Sequence, residues 1–115
     1  MQIAYLILAH NSPDHVGRLI GALDNNRAHF FIHIDKKANL NEFQRYTTQR
    51  RNVHYIENRI KVFWGGFSMV EAILNLMQEA IRSDIDFKYA ILLSGSHFSY
   101  YQIAHHLLLY LMLFT

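Results

Sequence analysis

The segment Arg59-Ile-Lys-Val-Phe-Trp-Gly-Gly-Phe-Ser-Met-Val-Glu71 decides how this chain folds. Its first half is rich in β-branched and aromatic residues, which is typical of a strand, and the pattern breaks at Gly65-Gly66. Ser68 and Glu71 have the S-x-x-E spacing of a capping box, which predicts a helix N-terminus. A strand, two glycines and a capped helix together predict an α/β protein with a ligand platform at the break.

The predicted helix after this break has one apolar face. Apolar residues recur there at the i, i+3, i+4, i+7 spacing of an amphipathic helix, and they are Val70, Ile73, Leu74, Met77 and Ile81. We therefore expect these side chains to pack against a sheet.

Strands and helices alternate along the rest of the chain. Residues 3–8, 30–34, 53–56 and 87–93 are apolar runs that predict buried strands. Ser12 as N-cap and Pro13 at the first helical position predict a helix between the first two strands, and Val16, Leu19, Ile20 and Leu23 form its buried stripe. Residues 39–50 predict a polar helix or helical turn. This order predicts a mostly parallel sheet flanked by helices.

Composition excludes several classes of protein. The chain has 115 residues, 51% of them hydrophobic, and only one proline, which indicates a globular domain or part of one. A formal charge of +2 is too small to indicate nucleic-acid binding. Cysteine is absent, so disulfides and thiolate metal sites are excluded. No signal-peptide pattern is present, and we expect a cytoplasmic location.

The end of the sequence differs from the rest. Lys88 is the last Asp, Glu, Lys or Arg, and residues 107–114 are apolar on every side. That run is shorter than the roughly 20 residues of a transmembrane helix. We therefore predict two parts, a domain portion over residues 1–96 and a divergent apolar tail over 97–115, with peripheral membrane association as a possible role of the tail.

Small or polar residues follow four predicted strands. In a parallel sheet, ligands bind beyond the carboxyl ends of the strands, and those ends lie along one edge. The residues there are Ala9-His10-Asn11, Asp35-Lys36-Lys37, Trp64-Gly65-Gly66 and Ser94-Gly95-Ser96. The sequence therefore predicts a binding site at this edge.

Four blocks in register resemble one family of inverting glycosyltransferases, which contains the branching β-1,6-N-acetylglucosaminyltransferases and the protein O-xylosyltransferases. The blocks are Ile3-Ala-Tyr-Leu-Ile-Leu-Ala-His-Asn11, Phe31-Ile-His-Ile-Asp-Lys-Lys37, Val62-Phe-Trp-Gly-Gly-Phe-Ser68 and Ile91-Leu-Leu-Ser-Gly-Ser96. The resemblance covers residues 2–96, but only the opening part of the family's catalytic domain, well under half of it.

The resemblance implies a GT-A fold, a Rossmann-like nucleotide-binding domain that is incomplete here. It implies a UDP-sugar donor and a glycan or protein hydroxyl as acceptor, with N-acetylglucosamine or xylose transferred with inversion. It also implies no metal cofactor, because basic side chains replace the metal on the diphosphate. The glutamate that acts as general base and the main basic clamp are expected beyond residue 115, so we expect this chain to be inactive alone and assign no catalytic residue.

Six residues are the predicted nucleotide-sugar site: His10, Asp35, Trp64, Gly65, Ser94 and Gly95. Asp35 is predicted to accept hydrogen bonds from the ribose or uracil, and its structural alternative is an acid that caps the next turn. Trp64 either stacks on uracil or packs in the core. His10 either contacts the diphosphate or sugar, or bonds the neighbouring loop. Lys36 and Lys37 either steer an anionic donor or are solvated surface.

The resemblance ends after Ser96. The family continues with Asp, an aromatic residue and Pro, whereas this chain has His97-Phe98-Ser99. Our hypothesis is that the gene is truncated or frameshifted near codon 97. A family-like continuation in another reading frame of the downstream DNA would support it.

Other functions remain open at this stage. They are a non-catalytic UDP or nucleotide-binding module and a small membrane-associated protein. A dinucleotide-dependent oxidoreductase is disfavoured, because no G-x-G-x-x-G follows the first strand. Eight histidines occur, but no spacing among them matches a zinc site.

Overall fold

The computed structural model describes residues 2–63, 66–94 and 109–111. The elements follow one another as β1 (Gln2–Ala9), α1 (Pro13–Leu23), β2 (Ala28–Ile34), α2 (Leu40–Gln44), β3 (Val53–Tyr55), α3 (Phe67–Arg82), β4 (Phe87–Ser94) and β5 (Leu109–Leu111). They form one sheet in the order β3-β2-β1-β4-β5. The pairings among β1 to β4 are parallel, and β5 is antiparallel to β4. This confirms the predicted α/β class with a mostly parallel sheet, and it is consistent with a partial GT-A, Rossmann-like domain.

The central strand β1 divides the interior into two apolar cores. Tyr5 and Ile7 pack on the side of α1, together with its Val16, Leu19 and Ile20. Leu6 and Leu8 pack on the opposite side, which α3 covers. Successive strand residues face opposite sides of a sheet, so an unbroken apolar strand requires a helix on each face.

Helix α1 begins at Pro13, as predicted, but Ser12 is not its side-chain cap. Ser12 has φ 55° and ψ 60°, a left-handed conformation, and its side chain makes no capping hydrogen bond. An N-cap side chain reaches the first-turn N–H groups from extended backbone, so this conformation explains the difference. The predicted stripe is confirmed, with Leu23 partly buried at its end.

Helix α3 is rotated from the predicted orientation, and of the predicted stripe only Ile73 and Met77 pack against the core. Its buried residues are Ala72, Leu76 and Ala80, with Met69, Ile73 and Met77 partly buried beside them. Three residues of the predicted stripe are exposed instead: Val70 (46%), Leu74 (54%) and Ile81 (56%). Apolar residues occur on several sides of this helix, and the small alanines allow the closest approach to the strands. We call Phe67, Val70, Leu74 and Ile81 the outer α3 face.

The predicted capping box of α3 is wrong. The N-cap is Gly66, so Ser68 already lies inside the first turn. Its hydroxyl accepts the Phe63 N–H at 2.8 Å and donates to the Phe63 carbonyl at 3.4 Å. Glu71 is exposed. The serine therefore fastens the preceding loop to the helix.

Two further elements are shorter than predicted. Helix α2 ends at Gln44, and turns follow it, whereas the prediction extended to residue 50. Strand β3 ends at Tyr55, and residues 59–63 form no strand, contrary to the strand predicted before Trp64. Residues 59–62 instead bond to groups at and just beyond the end of β2, which provides partners for their backbone without a sheet ladder.

The predicted boundary at residue 96 lies outside the described residues, and the domain division stays a prediction. Of the apolar tail, the structure describes only β5, which pairs with β4 from Ala90 to Leu92. None of the helices within the described ranges has the length and apolar character needed to cross a membrane.

Candidate functional site

The register of the sheet brings three strand ends together. Ala9 of β1 pairs with Ile34 of β2, and Leu8 pairs with Ser94 of β4. The Asp35 N–H donates to the Ala9 carbonyl at 2.9 Å, which extends the ladder by one residue. His10, Asp35 and Ser94 therefore lie at the same edge of the sheet, as their strand-end positions predicted.

A cavity of about 180 Å³ opens between the ends of β1 and β2. His10, Asp35, Lys37 and Ala38 line it. It thus combines a carboxylate, an ammonium group and an imidazole on a small apolar floor. Two of the six predicted site residues, His10 and Asp35, meet in it.

Asp35 holds the loop around this cavity in place. Its side chain is only 3% exposed, and Oδ1 accepts the Lys37 N–H at 3.0 Å and the Val62 N–H at 3.3 Å. The bond from the Lys37 N–H closes a turn. Asp35 therefore does cap the turn after β2, which was the structural alternative to a binding role. Oδ2 lies 3.5 Å from Lys37 Nζ. Asp35 therefore fixes the loop through Oδ1, while Oδ2 pairs with a cation at the cavity.

Lys37 joins three parts of the site. Its ammonium donates to the Val62 carbonyl at 2.7 Å, pairs with Asp35 and lies 4.5 Å from the centre of the Phe63 ring. A lysine has three N–H donors, and the first two contacts take two of them. Its side chain is 46% exposed, so it is neither simple solvated surface nor buried.

Residues 59–62 bind across the loop of residues 35–38. The Ile60 N–H donates to Nε2 of His33 at 2.9 Å, and the Lys36 N–H donates to the Ile60 carbonyl at 3.1 Å. Arg59 Nη1 donates to the carbonyls of Asp35 and Ala38 at 3.2 and 3.3 Å. We call residues 59–62 the crossing segment and residues 35–38 the pocket loop.

His33 is the buried anchor of the crossing segment. It is fully buried, and burial lowers its pKa, an effect that Arg59 reinforces and that a backbone hydrogen bond and Asp35 oppose. A backbone N–H can only donate, so Nε2 must accept, and the neutral ring carries its proton on Nδ1. His33 therefore belongs to the structure as a neutral acceptor.

Three predicted residues, Trp64, Gly65 and Gly95, lie outside the described residues, and their roles stay predictions. Ser94 is described as the last residue of β4. The Gly66 N–H donates to the Phe63 carbonyl at 2.9 Å. A Cβ at Gly66 would lie 3.1 Å from that oxygen, so this close approach favours glycine at position 66.

Sequence reasoning missed His33, Arg59 and Ala38. A signal for His33 was present, since Phe31, His33 and Asp35 alternate along β2 and so share one face. Phe31 packs in the same core as Ile56, which precedes the crossing segment, and Val62, which is its last residue. Period-two alternation thus predicts that His33 and Asp35 face the crossing segment.

Within residues 2–63, 66–94 and 109–111, no group of three or more His, Asp or Glu side chains could hold a metal ion. Asp84-Ile85-Asp86, which has the letters of a metal motif, lies directly before β4, at the opposite end of the sheet from the cavity. Asp84 has a φ of 64° and both carboxylates are exposed, as expected for a solvated turn. The absence of a metal requirement stays a prediction.

A protein-family model described as "Branch: Core-2/I-Branching enzyme" matches residues 3–108. The match thus extends past residue 96 into the segment predicted to be a divergent tail.

Curated proteins give concordant similarities. The chain is 26% identical over 101 residues to a xylosyltransferase of Ciona intestinalis, which covers 85% of this chain and 12% of the relative. It is 30% identical over 85 residues to xylosyltransferase 2 of Canis lupus familiaris, covering 71% and 10%. It is 29% identical over 100 residues to a mouse N-acetyllactosaminide β-1,6-N-acetylglucosaminyl-transferase, covering 84% and 25%. The chain therefore spans at most a quarter of the length of these relatives.

Proposed function

The chain belongs to the Core-2/I-branching enzyme family, and on that premise we propose that it forms the donor-binding part of a glycosyltransferase. The proposed reaction transfers N-acetylglucosamine or xylose from a UDP-sugar to a glycan or protein hydroxyl with inversion. The relatives' names support glycosyl transfer with these two sugars. The observation that supports a role in donor binding is the cavity between the ends of β1 and β2.

The cavity chemistry suits one portion of such a donor. Ribose hydroxyls and the uracil N–H are donors, and the Asp35 carboxylate accepts them through Oδ2, which is less engaged than Oδ1. The third N–H of Lys37 is available for an anionic group. A volume of about 180 Å³ is below the roughly 300–1,000 Å³ of sites that hold whole small molecules. The cavity therefore holds a part of the nucleotide, and we propose that Trp64, Gly65, Ser94 and Gly95 complete the site.

No metal takes part in the proposed binding mode. Cations of the protein neutralise the diphosphate in its place, and Lys37 is the cavity's contribution to that charge. We propose that the general base and the main basic clamp come from parts of the family domain outside residues 1–115. The chain alone is therefore proposed to bind the donor without transferring the sugar.

The test is a titration of the 115-residue chain with UDP, ADP, UDP-N-acetylglucosamine and UDP-xylose, followed by amide NMR spectra. We expect UDP to bind at least tenfold more tightly than ADP, with shifts at residues 35–38, and no change when EDTA is added. Asp35→Asn should weaken UDP binding about tenfold or more, because a charge-assisted hydrogen bond contributes roughly 1.5–3 kcal/mol.

Asp86→Asn is the matched control, since Asp86 is an exposed aspartate at the other end of the sheet. It should leave binding unchanged. Equal affinity for UDP and ADP, or equal effects of the two substitutions, would contradict the assignment of the cavity. A radiolabelled-sugar transfer assay should show no product from the chain alone.

A non-catalytic nucleotide-binding module is the second candidate, because several hydrogen bonds join the pocket loop and the crossing segment within this short chain. Selective UDP binding combined with a failure to transfer sugar when the rest of a family domain is supplied in trans would favour it.

A further inference from the structure

The crossing segment is attached to the pocket loop at an acceptor that can be titrated. The Ile60 N–H, at a partly buried position, has the ring nitrogen of the fully buried His33 as its partner, at 2.9 Å. Protonation turns Nε2 from an acceptor into a donor. Two N–H groups would then face each other, and the Ile60 N–H would lose its acceptor at a partly buried position.

The consequences of that loss extend to the cavity. Arg59, which bonds the pocket loop, directly precedes Ile60, and Val62 lies two residues after it. The Val62 N–H donates to Oδ1 of Asp35, and the Val62 carbonyl accepts from Lys37. Release of Ile60 therefore loosens the contacts that fix both charged residues of the cavity. No other described side chain accepts a hydrogen bond from the Ile60 amide.

We propose that His33 is a positioning residue for the cavity, which in its neutral form holds the crossing segment on the pocket loop and on protonation releases it. This rests on the proposed function insofar as the cavity binds a nucleotide sugar. Donor binding then depends on pH through His33, which does not line the cavity.

The sign of the effect follows from the surroundings of His33. The charged groups that act on the ring are Asp35, which favours the protonated form, and Arg59, which disfavours it, and burial outweighs both, so its pKa is lowered from the usual value of 6.5. We call the hydrogen bond between the Ile60 N–H and His33 Nε2 the latch. The folded form in which this bond is made thus binds fewer protons than the form in which the crossing segment is released. The latch is complete above a pH of about 6.5 and is lost as the pH falls through the lowered pKa.

The experiment follows the latch and the binding separately, on the 115-residue chain between pH 7.5 and 4.5. Hydrogen exchange of the Ile60 amide, expressed as a protection factor, reports the latch, and the His33 ring shifts report its titration. The Kd for UDP-N-acetylglucosamine reports the cavity, and this ligand is chosen because its diphosphate does not titrate near neutral pH. We expect Ile60 protection to fall with the His33 titration, and the Kd to rise by up to about tenfold per pH unit below it.

Two variants make the result specific. In His33→Gln the amide oxygen takes the place of Nε2 as an acceptor that does not titrate, so Ile60 protection and the Kd should both become flat over this range. His54→Gln is the matched control, since it removes an exposed histidine of β3 and should keep the wild-type pH profile.

The measurements test the hydrogen bond between His33 and Ile60 separately from donor binding. Absence of UDP-N-acetylglucosamine binding at every pH, with Ile60 still released as His33 titrates, would refute the proposed function and leave the latch standing. If His33→Gln keeps the wild-type pH profile of Ile60 protection, the inference is overturned. It is also overturned if the amides of Leu6 and Ile7 lose protection together with Ile60, because the acid effect would then be global unfolding.

Discussion

At the scale of single residues, Asp35 combines a structural and a proposed binding role in one carboxylate. Oδ1 accepts two backbone N–H groups from segments far apart in the sequence, while Oδ2 pairs with Lys37 beside the cavity. Buried carboxylates need such partners, because removing an ion from water costs several kcal/mol. The same bonds that make Asp35 tolerable in the interior also set the shape of the pocket loop.

Asp35→Ala should lower the free energy of unfolding by about 2–4 kcal/mol, because the N–H groups of Lys37 and Val62 lose their acceptor and Lys37 loses its counter-ion. Urea denaturation at neutral pH measures the change. Lys36→Ala serves as control, since Lys36 is the exposed neighbour, and should change stability by less than about 0.5 kcal/mol. Equal effects of the two substitutions would show that the carboxylate is not a structural centre.

At the scale of elements, α3 shows why apolar spacing identifies a helix more reliably than its buried side. Leu74 and Leu76 are two residues apart and chemically identical, yet Leu76 is fully buried and Leu74 is 54% exposed. The alanines at 72 and 80 share the side of Leu76 and let the helix backbone approach β1 and β2. Shape at the interface, rather than the number of apolar residues, determined the orientation.

The leucine pair gives a direct test of this orientation. Leu76→Ala should cost about 2–5 kcal/mol of stability, because it removes a fully buried side chain and leaves a cavity. Leu74→Ala should cost less than about 1 kcal/mol, since most of its surface is already in water. Thermal and urea unfolding of both variants would measure the difference, and a larger loss for Leu74→Ala would mean that the opposite face packs on the sheet.

At the scale of the whole molecule, the described part of the chain leaves a set of large apolar side chains in water. The outer α3 face and Phe63 are between 46% and 73% exposed. The outer α3 face belongs to the helix, and Phe63 is hydrogen-bonded to that helix through Ser68. A contiguous apolar surface of this kind drives association when nothing covers it.

We therefore expect the isolated 115-residue chain to self-associate in a concentration-dependent way, as measured by sedimentation velocity. Leu74→Lys should weaken association at least about fivefold, since it removes roughly 1 kcal/mol of apolar burial and adds a charge. Asn26→Lys is the control, because it adds the same charge at an exposed polar position before β2, away from the outer α3 face. A monodisperse monomer at all concentrations would contradict the prediction.

The sequence alone determined the order of strands and helices, the parallel sheet and the edge at which the strand ends meet. These depend on local patterns, namely the unbroken apolar runs of β1 and β2 and the rule that parallel strands end together. His10 and Asp35 were predicted at one edge because each directly follows such a strand, and the structure shows them lining one cavity there. Their role in binding stays a prediction. The match of the family model to residues 3–108 agrees with the resemblance of the four blocks.

Only the tertiary structure decided the inward face of α3, the true partner of Ser68 and the path of residues 59–62. The path of residues 59–62 depends on contacts between groups distant in sequence, such as His33 with Ile60 and Asp35 with Val62, which are 27 residues apart. The face of α3 depends on its packing against β1 and β2. Ser68 and Phe63 are only five residues apart, but they meet because the helix begins at Phe67. Local propensity assigned residues 59–63 to a strand, but their backbone groups found partners at the end of β2 instead. A buried backbone N–H or C=O group needs a hydrogen-bond partner, and the tertiary structure determines which partner lies close enough.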